Sequence, residues 1–192
     1  MSAGLGVVIA IAGLVVVLGI YIWALYNGLV RSKMRVQESW SGIDVQLKRR
    51  YSLVPNLVET VKGYAAHERT VLENVTKARA ALMSAGDARS AGEANNQLTA
   101  TLKTLFAVAE SYPQLRASEN FMQLQKELSD IEAKIAYARQ FYNSNVMSYN
   151  THIQVFPNVL LARSLSFTPA DFFAATEGER AEVRVSFTEK AA

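Results

Sequence analysis

The sequence contains no cysteine, which excludes disulfide bonds, thiolate metal sites, cysteine nucleophiles and membrane attachment through a lipidated cysteine. Glycine and proline are scarce as well, with 10 and 4 residues in a chain of 192. Because turns depend on these two residue types, their scarcity favours long helices over a β fold with many turns. The net charge of +3 is too small to indicate a nucleic-acid-binding protein, which would carry a clustered basic face.

Charged residues are absent from the first part of the chain, Met1 to Val30. Residues 4–26 form an apolar run, and a helix rising about 1.5 Å per residue needs ~20 apolar residues to cross a bilayer core of ~30 Å. A cleaved signal peptide would place a basic residue ahead of a shorter apolar run and small residues after it. The sequence has none of these three features here, so we predict a retained transmembrane anchor over residues 1–30.

Basic and aromatic residues mark one end of this anchor. Arg31, Lys33 and Arg35 follow it, and no Lys or Arg precedes it. Since basic residues favour the cytoplasmic side of a membrane, we predict the N-terminus outside and the long C-terminal part in the cytoplasm. The aromatic residues typical of a membrane interface at this end are Tyr21, Trp23 and Tyr26.

Small residues align on one face of the predicted anchor at Gly6, Ala10 and Gly13. In lipid, burial gives helices no drive to associate, and small residues let two backbones approach closely. The alignment predicts lateral packing between anchors of several copies, and hence a homo-oligomer. The alternative, that glycine and alanine are simply common in membrane helices, stays open.

Beyond the anchor, apolar residues recur every three or four positions, which is the period of a helix with one buried face. The membrane helix is predicted to continue through Val36, Ile43 and Leu47. Its predicted end or kink is Pro55, which lacks an amide donor and disfavours helix in the residue before it.

Three further long helices are predicted: Leu57 to about Ser84, Asp87 to Tyr112, and Ser118 to Phe156–Pro157. The last has the clearest stripe, with nine positions in register: Phe121, Leu124, Leu128, Ile131, Ile135, Ala138, Tyr142, Asn145 and Tyr149. The predicted fold is therefore all-α, a single transmembrane helix that continues into an elongated antiparallel bundle of about four helices over residues 31–166.

The last part of the chain, residues 167–192, is predicted as a short helix and an extended tail. Thr168 and Pro169 are typical of a helix start, and that helix would present Phe172 and Phe173 as an exposed apolar surface. Residues 183–187 alternate like a short strand but have no partner strand in the sequence, so an extended tail is favoured.

Residues 49–68 read RRYSLVPNLVETVKGYAAHE, which resembles the signature of the LemA family of bacterial membrane proteins. Further blocks resemble the family in the same order: residues 106–113, 119–121, and Tyr142-Asn143 with Tyr149-Asn150 leading to residues 156–158. The resemblance implies one membrane helix followed by an elongated helical bundle, mostly cytoplasmic, with no established enzymatic activity. One relative in the family is tied to the formation of magnetosome membranes, which implies membrane shaping or scaffolding.

Enzyme motifs are incomplete or absent. His67-Glu68 resembles the start of the zinc motif His-Glu-x-x-His, but Val71 stands where the second histidine would be. The other histidine, His152, has no carboxylate cluster beside it. The sequence has no Gly-rich phosphate loop and no Gly-x-Ser-x-Gly elbow. We therefore predict a non-enzymatic protein with no catalytic residue, metal or cofactor.

Polar residues at predicted packing positions are more informative. They are Arg50, Asn56 and Glu59 around Pro55, and Tyr142, Asn143, Asn145, Tyr149 and Asn150 on the last long helix. Buried polar groups need hydrogen-bond partners, because leaving one unsatisfied costs about 1–3 kcal/mol. We predict a polar seam between helices, whose role in fixing helix register is favoured over a ligand site.

Two functions stay open on this reasoning. The first is a scaffold or assembly protein of the bacterial inner membrane, whose partners are the lipid bilayer, further copies of the chain and unidentified proteins. The second is a sensor or ligand-binding stalk that uses the polar seam. Nucleic acid is not among the expected partners.

Overall fold

The protein is described by a computed structural model over residues 2–173, with side chains from Gly4 onwards. Its helices are α1 (Ser2–Lys62), α2 (Arg69–Ser84), α3 (Ala88–Ala109), α4 (Pro113–Arg116), α5 (Glu119–His152) and α6 (Asn158–Ser164). Within residues 2–173 no strand occurs, and the predicted all-α class is confirmed. The short strand considered for residues 183–187 and the tail from Ala174 lie outside the described residues.

Two compact units make up the chain, and each takes part of α1 and part of α5. The first contains residues 2–46 and 132–172, and the second contains residues 47–131 with residue 173. Both long helices therefore supply core residues to two separate clusters of contacts.

The first third of α1 has no core-facing side. All side chains from Gly4 to Ala24 are exposed, and the mean hydropathy of the best 18-residue window of this helix is 2.9. We call Gly4–Ala24 the apolar segment. By length and composition, α1 is the one helix among residues 2–173 that could cross a membrane.

The first unit packs the next part of α1 beside the end of α5. Leu29 and Ile43 of α1 are fully buried, as is Val146 of α5. The rings of Trp40 and Tyr142 lie 5.7 Å apart. The stripe that the sequence predicted for α1 beyond the anchor is therefore a buried face.

The second unit pairs α2 with α3 around the C-terminal end of α1. Its fully buried side chains include Val54, Leu57, Val75, Leu98 and Leu105. The predicted start of a helix at Asp87 is confirmed, because Asp87 Oδ1 accepts from the Ser90 amide at 2.8 Å and caps α3. This bond and the Ser90 hydroxyl hold the pKa of Asp87 below its usual value, so the cap weakens as pH falls through that lowered pKa.

Of the two alternatives predicted at Pro55, an end or a kink, the end is wrong, because α1 continues through this residue to Lys62. A proline inside a helix leaves the carbonyl four residues earlier without an amide donor, and here that residue is Tyr51. Arg79 of α2 replaces the missing donor, since its Nε lies 2.9 Å from the Tyr51 carbonyl oxygen. The true break follows at residues 63–68, so residues 57–62 belong to α1 and not to the second helix.

This replacement predicts an interaction between Arg79 and Pro55 in stability. Arg79→Met leaves the Tyr51 carbonyl without its donor and is expected to lower the free energy of unfolding by about 1–3 kcal/mol. In a Pro55→Ala background the restored amide bonds that carbonyl, so the same substitution should cost clearly less. Urea unfolding of the four variants measures this coupling.

Arg89→Met is the matched control, because Arg89 is exposed and forms an ion pair with Glu93 on its own helix. Its effect should be small and equal in both backgrounds. An equal loss for Arg79→Met with and without Pro55 would contradict the replacement.

Candidate functional site

The polar residues of α5 bind a non-helical segment at the end of the first unit, residues 167–172, which we call the C-terminal segment. The Tyr149 hydroxyl donates to the carbonyl of Thr168 at 2.9 Å. The Tyr142 hydroxyl donates to the carbonyl of Asp171, also at 2.9 Å. The two tyrosines thus hold the segment at both ends of its polar stretch.

Asn150 forms the central contact. Its Nδ2 donates to the Ala170 carbonyl at 2.9 Å, and its Oδ1 accepts from the Ala170 amide at 2.8 Å. A side-chain amide that both donates to and accepts from one residue satisfies that residue's backbone as a neighbouring strand would. Each of these hydrogen bonds joins a side chain of α5 to a main-chain atom of the segment. They therefore fix the position of the segment's backbone and do not involve its side chains.

The helix start predicted at Thr168 is therefore wrong within the described residues. A helix would use the carbonyls of residues 168–171 internally, whereas three of them accept bonds from α5. The expected exposure of both phenylalanines is also wrong for one of them: Phe173 is 1% exposed, while Phe172 is 48% exposed.

Phe167 fixes the other end of the C-terminal segment against α1. Its ring meets that of Tyr26 edge to face, with centroids 6.5 Å apart at 76°. The ammonium of Lys33 lies 5.8 Å from the centre of the Phe167 ring, within range of a cation–π interaction. Two residues predicted at the membrane interface, Tyr26 and Lys33, thus also bind the C-terminal segment.

The remaining predicted interface residues, Tyr21, Trp23, Arg31 and Arg35, are exposed on α1. The small residues Gly6, Ala10 and Gly13 are exposed too, and a Cβ added at Gly6 or Gly13 would meet nothing within 4 Å. In the single chain this face of the apolar segment is open. Packing between anchors stays a prediction.

The end of α5 meets α1 just after the apolar segment. His152 Nδ1 lies 3.3 Å from Ser32 Oγ, and its Cε1 lies 3.4 Å from where a Cβ on Gly28 would be. A Cβ at Gly28 would be in van der Waals contact with the imidazole, so the ring lies close against the backbone of α1 here. This contact was not predicted from the sequence. Its one local sign is Gly28 itself, a glycine inside a helix that has no break there.

The other polar-seam residues are divided between the two units. Asn143 and Asn145 are half-buried on α5. In the second unit, the guanidinium of Arg50 donates to Asn95 Oδ1, and both side chains are buried. Asn56 and Glu59 are exposed, so these two do not belong to a buried seam.

Burial raises the pKa of the Tyr149 phenol above its usual value of 10.0. The direction matters for the C-terminal segment, because a protonated hydroxyl is a donor and a phenolate is not. The bond from Tyr149 to the Thr168 carbonyl is therefore kept throughout the neutral pH range.

An open groove of about 510 Å³ lies in the second unit between the C-terminal turn of α1 and α2. Its walls carry apolar side chains, among them Val58 and Leu72. Charges of both signs surround it: Glu59, Lys62, Arg69, Glu73 and Lys77. Mixed charges around an open groove select no single class of ligand.

The decisive comparison is with protein families, because the LemA family matches residues 39–187 of this chain. The chain belongs to the LemA family. The match covers most of the chain, including the Pro55 region, all of α2–α6 and the C-terminal segment. The resemblance drawn from residues 49–68 is confirmed.

Individual relatives agree with this membership. The chain is 29% identical to Protein LemA of Metamycoplasma hominis over 161 residues, which is 83% of this chain and 74% of that protein. It is 25% identical to Magnetosome protein MamQ of Magnetospirillum gryphiswaldense and 26% identical to Magnetosome protein MamQ 2 of Paramagnetospirillum magneticum. Each of these two matches covers 77% of this LemA-family chain and 64% of the relative. None of the three names states an enzymatic activity.

The contacts of Asn150 predict what holds the C-terminal segment in place. Asn150→Ala removes both hydrogen bonds to Ala170, which should lower the free energy of local opening by about 1.4 kcal/mol or more. Amide exchange then speeds up at least tenfold. We expect this acceleration at the Ala170 amide in hydrogen–deuterium exchange. Asn145→Ala, half-buried on the same helix, is the control and should leave that amide unchanged. Equal exchange in both variants would show that Asn150 does not hold the segment.

Proposed function

We propose that this LemA-family protein is a non-enzymatic, membrane-anchored scaffold of the bacterial inner membrane. One observation carries the proposal: α1 is exposed and apolar on every side from Gly4 to Ala24, and the same helix then packs along one face. Water disfavours the first arrangement and a bilayer favours it, since lipid covers all sides of a spanning helix. A protein held this way presents its packed helices at a membrane surface.

The proposed orientation is an N-terminus outside the cell and packed helices in the cytoplasm. Arg31, Lys33 and Arg35 are exposed within the first turns after the apolar segment, and the sequence places no Lys or Arg before it. Basic residues on one flank of a single span favour the cytoplasmic side for that flank.

A role in organising membrane rests on the likeness to the relatives named magnetosome proteins. One feature of this chain fits a structural role better than catalysis. The groups of α5 that would otherwise make a polar site are bonded to the chain's own C-terminal segment.

The alternative, a sensor or ligand-binding stalk, would use the polar seam. Its strongest element would be Tyr142, Tyr149 and Asn150, and a ligand there would have to displace the C-terminal segment. Weaker protection of Ala170 in amide exchange on adding cell-extract metabolites would favour this alternative.

Orientation is tested by proteolysis of spheroplasts. Protease added outside intact spheroplasts is expected to leave residues 31–192 uncut, because the membrane shields the cytoplasmic part. Lysed spheroplasts are the control and should be digested. Cleavage within residues 31–192 while a soluble cytoplasmic marker stays intact would reverse the orientation.

Self-association is tested on the small-residue face of the anchor. Replacing Gly6, Ala10 and Gly13 together by Leu should reduce the assembly size in native mass spectrometry without affecting insertion, because Leu is lipophilic but holds backbones apart.

The matched control places three leucines on another face of the same segment. The substitutions are Val8→Leu, Ile11→Leu and Val15→Leu, all at exposed positions. This variant is expected to assemble as the parent does. If both variants keep the parent's size, the small-residue face is not a contact between copies.

A further inference from the structure

The turn between α5 and α6, with α6 itself, exposes several large apolar side chains. They are Val155, Phe156, Leu160 and Leu165. Phe156 is 79% exposed, more than any other large hydrophobic side chain among the described residues. Single exposed apolar residues are ordinary, whereas large contiguous apolar patches mark contact surfaces, so four such side chains within residues 155–165 make this stretch a candidate. We call residues 155–165 the apolar tip.

Contacts within the first unit fix the position of this tip along α1. Tyr142 lies beside Trp40, and His152, further along α5, lies beside Ser32. The end of α5 therefore runs antiparallel to α1, towards the apolar segment. His152 also packs at Gly28, which is only about 6 Å along the helix axis from Ala24.

The chain returns to α1 at the same level after α6. Phe167 follows the apolar tip and packs against Tyr26, two residues beyond the apolar segment. His152, shortly before the tip, and Phe167, shortly after it, thus both contact α1 between Tyr26 and Ser32. It lies where α1 would leave the bilayer.

Charge around the tip has one sign. Residues 25–37 and 145–170, which surround the contacts described above, contain four Lys or Arg and no Asp or Glu. Arg31, Lys33, Arg35 and Arg163 are exposed there. An apolar tip within a basic surface complements a bilayer that carries anionic headgroups.

We propose that the apolar tip is a second membrane-contact site. It inserts Phe156 and Leu160 into the cytoplasmic leaflet, beside the point where α1 leaves the bilayer. The proposal rests on the proposed function, because it needs α1 in the bilayer. Arg163 and the basic residues after the apolar segment bind anionic headgroups around the inserted side chains. The first unit is then fixed to the membrane at two points, the apolar segment and the apolar tip, which restricts its tilt relative to the bilayer.

Single-cysteine labelling of the full-length protein tests this site directly, because the chain has no native cysteine. The environment-sensitive fluorophore NBD is attached at Phe156→Cys and at Leu160→Cys, in vesicles of phosphatidylcholine and phosphatidylglycerol. Quenching by nitroxide-labelled lipid is compared with quenching by aqueous iodide.

Two control positions serve as references, one for a label in the bilayer and one for a label in water. Trp23→Cys reports the apolar segment. Phe141→Cys reports an exposed phenylalanine on α5, fifteen residues before Phe156 and about 20 Å from the tip along the helix. Lipid quenching at Phe156→Cys and Leu160→Cys is expected to be at least about threefold that at Phe141→Cys, as for groups at the acyl boundary.

Each other outcome overturns the proposal in a distinguishable way. Iodide quenching at the tip equal to that at Phe141→Cys, with Trp23→Cys quenched by lipid, leaves the anchor in place and removes the second site. Protection of the tip from both quenchers assigns it to a protein contact. A Trp23→Cys label that lipid does not quench removes the membrane anchor itself, and the proposed function with it.

Discussion

The structure depends on one helix, α1, meeting two different environments along its length. From Gly4 to Ala24 its side chains are apolar and exposed on every side, and from Leu29 onwards one face is buried. The change requires no break, because the backbone bonds of a helix are internal and are satisfied in lipid and in a protein core alike. In the proposed function, α1 thus joins the membrane-spanning segment to the packed part of the protein without a break.

At Pro55 the helix loses one of its internal hydrogen bonds, and a residue outside the helix replaces it. The carbonyl of Tyr51 has no amide donor, and the guanidinium Nε of Arg79 donates to it instead at 2.9 Å. Because the helix continues to Lys62, Val54, Leu57 and Val61 are all fully buried in the second unit. A tertiary contact thus preserves a secondary structure that local preference disfavours.

Sequence periodicity predicted the elements whose signal is local. The α5 stripe is buried at Phe121, Leu128 and Ile135, and Asp87 begins α3 as its side chain predicted. The missed features depend on residues far apart in sequence: Arg79 with Tyr51, and Asn150 with Ala170. Composition at Thr168–Pro169 is typical of a helix start, but main-chain bonds from α5 override it. No local sequence pattern indicates such pairings. The polar residues of α5 were therefore predicted to be packed, but the segment that they bind was not predicted.

Water accessibility along α1 distinguishes a helix that crosses a bilayer from one that lies in water. Nitroxide labels are introduced one at a time at residues 5–45 of the cysteine-free chain in lipid vesicles, and collisions with an aqueous nickel complex are measured by EPR. We expect low accessibility at every position up to Ala24, then a helical period with minima at Leu29, Val36 and Ile43. High accessibility to the nickel complex within residues 5–24 would contradict this expectation.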